Sequence, residues 1–251
     1  MKAQMAGCGA IAALVLGCAL VSTSAGQTKD EADTATGERL AEFLRDARAV
    51  VSNNQPVINS PNHKAITSDW ITARVIAVYT KNTGSPPWSG DGLTGRDRRL
   101  IDAQIASLRE VIDEHQNDIN RPGVGFKGFV PALFARLMNE RFAEKVGDEA
   151  RIRVTAPREL VRNRKALPDK WETKVITTVF SDPAREKGTA YIESVEVDGR
   201  PAFRMLIPEY YTKSCLVCHG TPKGQIDITG YPKEGGKVGD LGGAISIVLF
   251  K

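Results

Sequence analysis

Residues 191–220 read YIESVEVDGRPAFRMLIPEYYTKSCLVCHG. Two runs of alternating apolar residues, 191–197 and 200–210, flank Asp198-Gly199. An Asp-Gly pair between such runs predicts a β-hairpin, because both central positions of a tight two-residue turn tolerate positive φ. The second run feeds directly into Cys215, Cys218 and His219, so whatever chemistry these residues carry is mounted at the end of a strand.

Working outward, a Gly-rich stretch follows and then GGAISIVLF (242–250), which reads as a buried final strand. Upstream, ARIRVTA (150–156) alternates as a strand should, and Pro168-Asp169-Lys170-Trp171-Glu172 opens a helix reaching about Phe180. The second half is therefore α+β with a small antiparallel sheet. The chain before it reads mostly α. Leu40, Phe43, Leu44, Ala47, Val50 and Val51 recur at three and four, the spacing of one helix face ending near Asn59. Ser68-Asp69 reads as the N-cap of a second helix, and Gly, Pro and Ser between 83 and 95 predict a loop. A third helix from about Arg96 carries Ile101, Ile105, Leu108, Ile112, His115 and Ile119 on one stripe. A fourth, within 129–146, closes at Gly147. We divide the chain into 1–25, a leader; 26–37, a polar flexible linker; 38–125, a helical N-terminal segment; and 126–251, the α+β domain.

The leader has Lys2, an apolar run from Ala6 to Val21 and small residues through Gly26, the pattern of a secretory signal cleaved after Ala25. The run is short for a membrane span, which takes about 20 apolar residues. Val15-Leu16-Gly17-Cys18 offers a second reading, lipid anchoring through Cys18, and an uncleaved anchor is a third. Under each the protein is exported, to a periplasm or its equivalent. The 251 residues are 41% hydrophobic and 25% charged with a formal net charge of +4, an ordinary globular balance. Charges alternate in sign and no Lys/Arg run exists, which argues against nucleic acid as a partner.

Of four cysteines, Cys8 and Cys18 lie in the leader, leaving Cys215 and Cys218 in the mature chain. In Cys-x-x-Cys-His the sulfurs sit at the spacing of two heme vinyl groups, and the histidine reaches the iron as a neutral imidazole. Cys215 and Cys218 would form thioethers and His219 would be the proximal ligand of one covalent heme c. Export favours this, as c-type attachment takes place outside the cytoplasm. The rival readings are a redox disulfide, which usually opens a helix in a βαβ unit; a structural disulfide; and zinc, which wants four ligands. For the second axial position the candidates are His63, His115, Met138 and Met205, or an open iron. His115, which continues an apolar stripe and so faces inward, stands level with an open iron. Trp171, Phe203, Leu206 and Tyr210 are candidates to wall the porphyrin, and Arg162, Arg164 and Lys223 to meet its propionates.

Glu159–Glu172 (ELVRNRKALPDKWE), Tyr191–Gly220 and Ile228–Ile247 (ITGYPKEGGKVGDLGGAISI) together resemble a bacterial family of exported c-heme, PAS-like domains catalogued as a domain of unknown function. The likeness is good from about Phe126 onward and looser over the preceding helices. It implies a PAS-like sheet with heme beside it, and a redox or sensory role. Some members take a cysteine from the preceding helix as distal ligand; this mature chain has none to spare. The function expected is electron transfer or heme-based redox or ligand sensing. The alternative is a heme enzyme of peroxidase or reductase type with an open iron. The partners implied are the cytochrome c maturation machinery and a redox or membrane signalling partner, and a homodimer is compatible with the reading.

Overall fold

In the computed structural model, which describes residues 24–62, 65–90 and 92–251, the expected strands form one sheet of order β1-β4-β3-β2, antiparallel throughout. Strands β1 (Ala150–Thr155), β2 (Tyr191–Val197), β3 (Arg200–Tyr210) and β4 (Leu241–Phe250) lie where the alternation places them. The β2–β3 turn has φ of 51° at Asp198 and 76° at Gly199, the pair of positive angles that the sequence predicts. The chain leaves β3 at Tyr210 and re-enters its neighbour β4 at Leu241, so 211–240 is an excursion from one end of the two central strands. Its base is closed by Tyr211 N–H to Asp240 O (2.9 Å) and Gly239 N–H to Tyr211 O (2.9 Å).

Alternation in β3 sends its side chains to two different environments. Phe203, Met205 and Ile207, with Ile245, Ile247 and Leu249 of β4, face a helical layer built from α1 (Ser24–Asn53), α2 (Gln55–Ile58), α3 (Ser68–Thr83), α4 (Gly95–Asn120) and α5 (Pro131–Val146). Leu206 and Ala244 face Val175 and Ile176, which follow the short helix α6 (Lys170–Lys174) in a π-helical turn. Both faces are thus covered, which removes apolar strand surface from water on each side. Buried Arg204 on the α6 side is paired with Asp169 (2.8 Å) and Glu172 (3.5 Å), and its guanidinium lies over the Trp171 ring. A buried charge needs such partners.

Two expectations are corrected. Residues 26–37, read as a flexible linker because they are polar, belong to α1. Thr36 donates to Asp97 Oδ1 (2.5 Å), Asp33 meets Arg96 (3.2 Å), and a Cβ on Gly37 would come within 2.7 Å of Met205 Sδ. A helix buried along one side can be polar on average, so mean polarity misleads here. The helical segment and the α+β domain also share one continuous core, from Leu40 to Leu249, with no break at 125/126. On a smaller scale, the N-cap of α3 is Thr67, whose side chain accepts from Trp70 N–H; Ser68 and Asp69 are already helical. The leader up to residue 23, Cys18 included, lies outside the described residues; Ser24 and Ala25, at the expected cleavage site, are the first residues of α1. No described helix is long and apolar enough to cross a membrane.

Candidate heme-attachment site

Cys218 and His219 sit in a single helical turn, α7 (Leu216–His219), with Cys215 as its N-cap, inside the 211–240 excursion. Cys218 and His219 N–H both reach Cys215 O, at 3.2 and 3.0 Å, so the turn presents all three side chains from one small frame. Gly220 ends it. A Cβ there would lie 2.5 Å from Leu216 O, so this glycine is demanded by the backbone of the turn itself.

Both cysteines are half-buried free thiols. Burial pushes the Cys218 thiol up, and the neighbouring Asp227 carboxylate adds to the effect. Activated redox cysteines are shifted the other way, so Cys218 is not placed as an activated thiolate. Thr212, through its N–H and hydroxyl, lies 3.4 Å from Cys215 Sγ.

His219 is fixed from two directions. Its ring stacks on Tyr211, with centroids 5.1 Å apart and planes 18° from parallel. Its Nδ1 lies 2.9 Å from Glu234 Oε2. A carboxylate can only accept, so Nδ1 carries the proton, and in the neutral ring the lone pair lies on Nε2. Nε2 has no hydrogen-bond partner among the described residues.

Arg162 locks this assembly. Its Nε donates to Glu234 Oε1 (2.9 Å), Nη1 to Asp227 Oδ2 (2.6 Å), and Nη2 to the Cys218 carbonyl (3.0 Å). One side chain thereby ties the turn to both later arms of the loop. Burial pushes the Glu234 carboxyl up, but hydrogen bonds from Arg162 and His219 carry it below its usual range. Asp227 goes the same way, since bonds from Thr229 and Arg162 outweigh its burial.

Tyr211 is 7% exposed and fills a slot shaped by two glycines. A Cβ on Gly236 would meet its ring at 2.6 Å and one on Gly242 at 2.2 Å. Its hydroxyl has no hydrogen-bond partner among the described residues, and burial, with the Glu234 charge, pushes the phenol up to about 12. Outside this slot the loop leaves several large apolar side chains in water. Val217 is 65% exposed, and Ile226, Ile228, Tyr231 and Val238 are also exposed.

The sequence-derived site residues divide sharply. Cys215, Cys218, His219 and Arg162 are together, although Arg162 has its guanidinium engaged by the loop rather than free for a propionate. Arg164 is exposed in a separate single-turn 3-10 helix, Arg164–Ala166. Trp171 packs on Tyr191 and donates from Nε1 to Glu193 (2.6 Å), under α6 rather than in the loop. Phe203 and Leu206 point to opposite faces of the sheet, so they cannot wall one pocket together. Tyr210 flanks the site instead. It lines a cleft of about 300 Å3 with Phe180, Lys187 and Leu241, and Lys187 lies over its ring.

His115 is half-buried in the helical layer, its Nδ1 on Val111 O (2.9 Å) and its ring 5.3 Å from Phe129. Its hydrogen bond and ring contact thus belong to the helices and not to the excursion. Met138 and Met205 are fully buried in the main core, and His63 lies outside the described residues. Glu234, Tyr211 and Asp227 were not foreseen. Glu234 is one acid in a Gly-rich run, and nothing in its spacing links it to His219. Tyr211 had a signal, since the doubled Tyr210-Tyr211 offers either ring; a register shift at Glu209/Tyr210 decides between them.

A four-stranded antiparallel sheet under a helical layer, with a Cys-x-x-Cys-His turn at the strand ends, defines an α+β protein of mixed core. The chain belongs to the Tll0287-like family, whose model matches residues 93–249. The match takes in α4 and α5 as well as the sheet, and so begins well before Phe126. No curated protein and no solved structure matches the chain. Among the described residues no group of three or more His, Cys, Asp and Glu is arranged to hold a metal ion. A heme, by contrast, brings four nitrogens of its own and asks the chain for one or two ligands.

Proposed function

We propose that this is an exported, PAS-like protein carrying one covalent heme c, working in electron transfer or in heme-based redox or ligand sensing. The observation that carries the reading is His219: its Nδ1 is tied to Glu234, its Nε2 lone pair is uncommitted, and two unbonded thiols share its helical turn. Ligating histidines are characteristically oriented in this way, by a hydrogen bond on the far nitrogen.

The residues fit the group. Cys215 and Cys218 would anchor it and His219 would hold the metal. The exposed apolar side chains of 217–238 are the kind of surface that a porphyrin face would remove from water. When bound, the heme supplies one-electron or ligand-binding chemistry. The chain's own contribution is to hold the imidazole at a fixed tautomer and angle through Glu234, Tyr211 and Arg162. The leader supports export, and with it access to c-type maturation and to a redox or signalling partner outside the cytoplasm.

The test is production with a cytochrome c maturation system, followed by optical spectra of oxidised and reduced protein, with and without carbon monoxide. The reading expects a c-type spectrum that survives denaturation. Unchanged reduced bands under carbon monoxide indicate a carrier, and a shifted band indicates an accessible iron and sensing. A colourless product would overturn it.

A further inference from the structure

The Glu234 carboxylate is held at both ends. Oε2 takes the His219 Nδ1 proton at 2.9 Å and Oε1 takes Arg162 Nε at 2.9 Å. Three of the turn's own carbonyls are already engaged: Cys215 O by Cys218 and His219, Leu216 O by Gly220, Cys218 O by Arg162. The fold instead brings an anion from fifteen residues downstream. It then fixes that anion with a guanidinium so that it cannot turn away.

We infer that Glu234 is a positioning residue that sets the reduction potential of the site, by giving the His219 imidazole partial anionic character and so favouring the oxidised metal. This rests on the heme reading. A carbonyl accepting from Nδ1 orients the ring; a carboxylate also draws the proton and raises the basicity of Nε2. A more basic ligand stabilises the higher metal charge, and the potential falls. Arg162 sets the size of the effect, because its charge offsets part of the carboxylate's. The potential is accordingly lower than the same site would have with a neutral acceptor at Nδ1.

The test measures reduction potential by spectroelectrochemistry in wild type, Glu234→Gln and Glu234→Asp, each matured with heme. Gln keeps the size and loses the charge. Asp keeps the charge on a shorter arm. The inference expects the potential to rise in Glu234→Gln, and to rise less in Glu234→Asp. A change that was only structural would lower the thermal midpoint of both variants with no ordered shift in potential. Should Glu234→Gln fail to accumulate, Glu234→Asp alone is expected to show the rise. Unchanged potentials in heme-loaded variants would overturn the inference and leave the heme reading standing. A wild-type chain that takes up no covalent heme would overturn both.

Discussion

Asp46 shows how a single side chain couples this fold to pH. It is 2% exposed on α1, accepts from Asn82 Nδ2 at 2.8 Å, and has its second oxygen buried without a hydrogen-bond partner. Burial first, and the Glu42 charge second, push its carboxyl up from 3.8 to about 6. A raised acid binds its proton more tightly in the folded state. Its contribution is therefore fully present below the unfolded value near 3.8 and is lost as pH rises through about 6. Asp46→Asn keeps the Asn82 contact and removes the charge. At pH 8 it should stabilise the protein by about 1–3 kcal/mol, with the gain vanishing near pH 4. Denaturant unfolding at both pH values checks this, and a pH-independent difference would contradict it. The same scale explains what spacing revealed. Cys215, Cys218 and His219 are adjacent in the chain, so one turn suffices to bring them together. Glu234 reaches His219 only through a loop whose path depends on Arg162, which no local pattern encodes.

Among the elements, the hairpin, β1, β4, α4, α5 and α6 were legible because each carries both a period and a stop. Thr94 and Asp97 close a capping box on α4, and Asp169 with Glu172 does the same on α6. The stretch of α1 from Asp30 to Gly37 was not legible, since its burial falls on Asp33, Thr36 and Gly37 rather than on large apolar groups. Packing of this helix on the sheet through a glycine makes a direct prediction. Gly37→Leu should cost about 1–3 kcal/mol, because the new side chain must displace fully buried Met205. Were 26–37 an unpacked linker, the same change would leave the unfolding midpoint where it is. The pocket expected from Trp171, Phe203 and Leu206 failed for a related reason. Residue identity suggested a wall, but strand alternation sends Phe203 and Leu206 to opposite sides.

At the scale of the whole molecule, helices and sheet share one core, and the Cys-x-x-Cys-His turn hangs from the strand ends on an excursion with its own internal bonding. The core supplies rigidity at the base, through Tyr211 locked between Gly236 and Gly242. The excursion supplies exposed apolar surface and a pre-set imidazole. On the proposed reading that division suits a cofactor added after export, since the Cys-x-x-Cys-His turn lies outside the core. The most direct measurement is the intact mass, under denaturing conditions, of the chain produced with cytochrome c maturation, beside a chain carrying both Cys215→Ser and Cys218→Ser. The account predicts wild type heavier by one heme and the doubly substituted chain at its bare mass. A wild-type chain at its bare mass, or lighter by the two hydrogens of a disulfide, would contradict it.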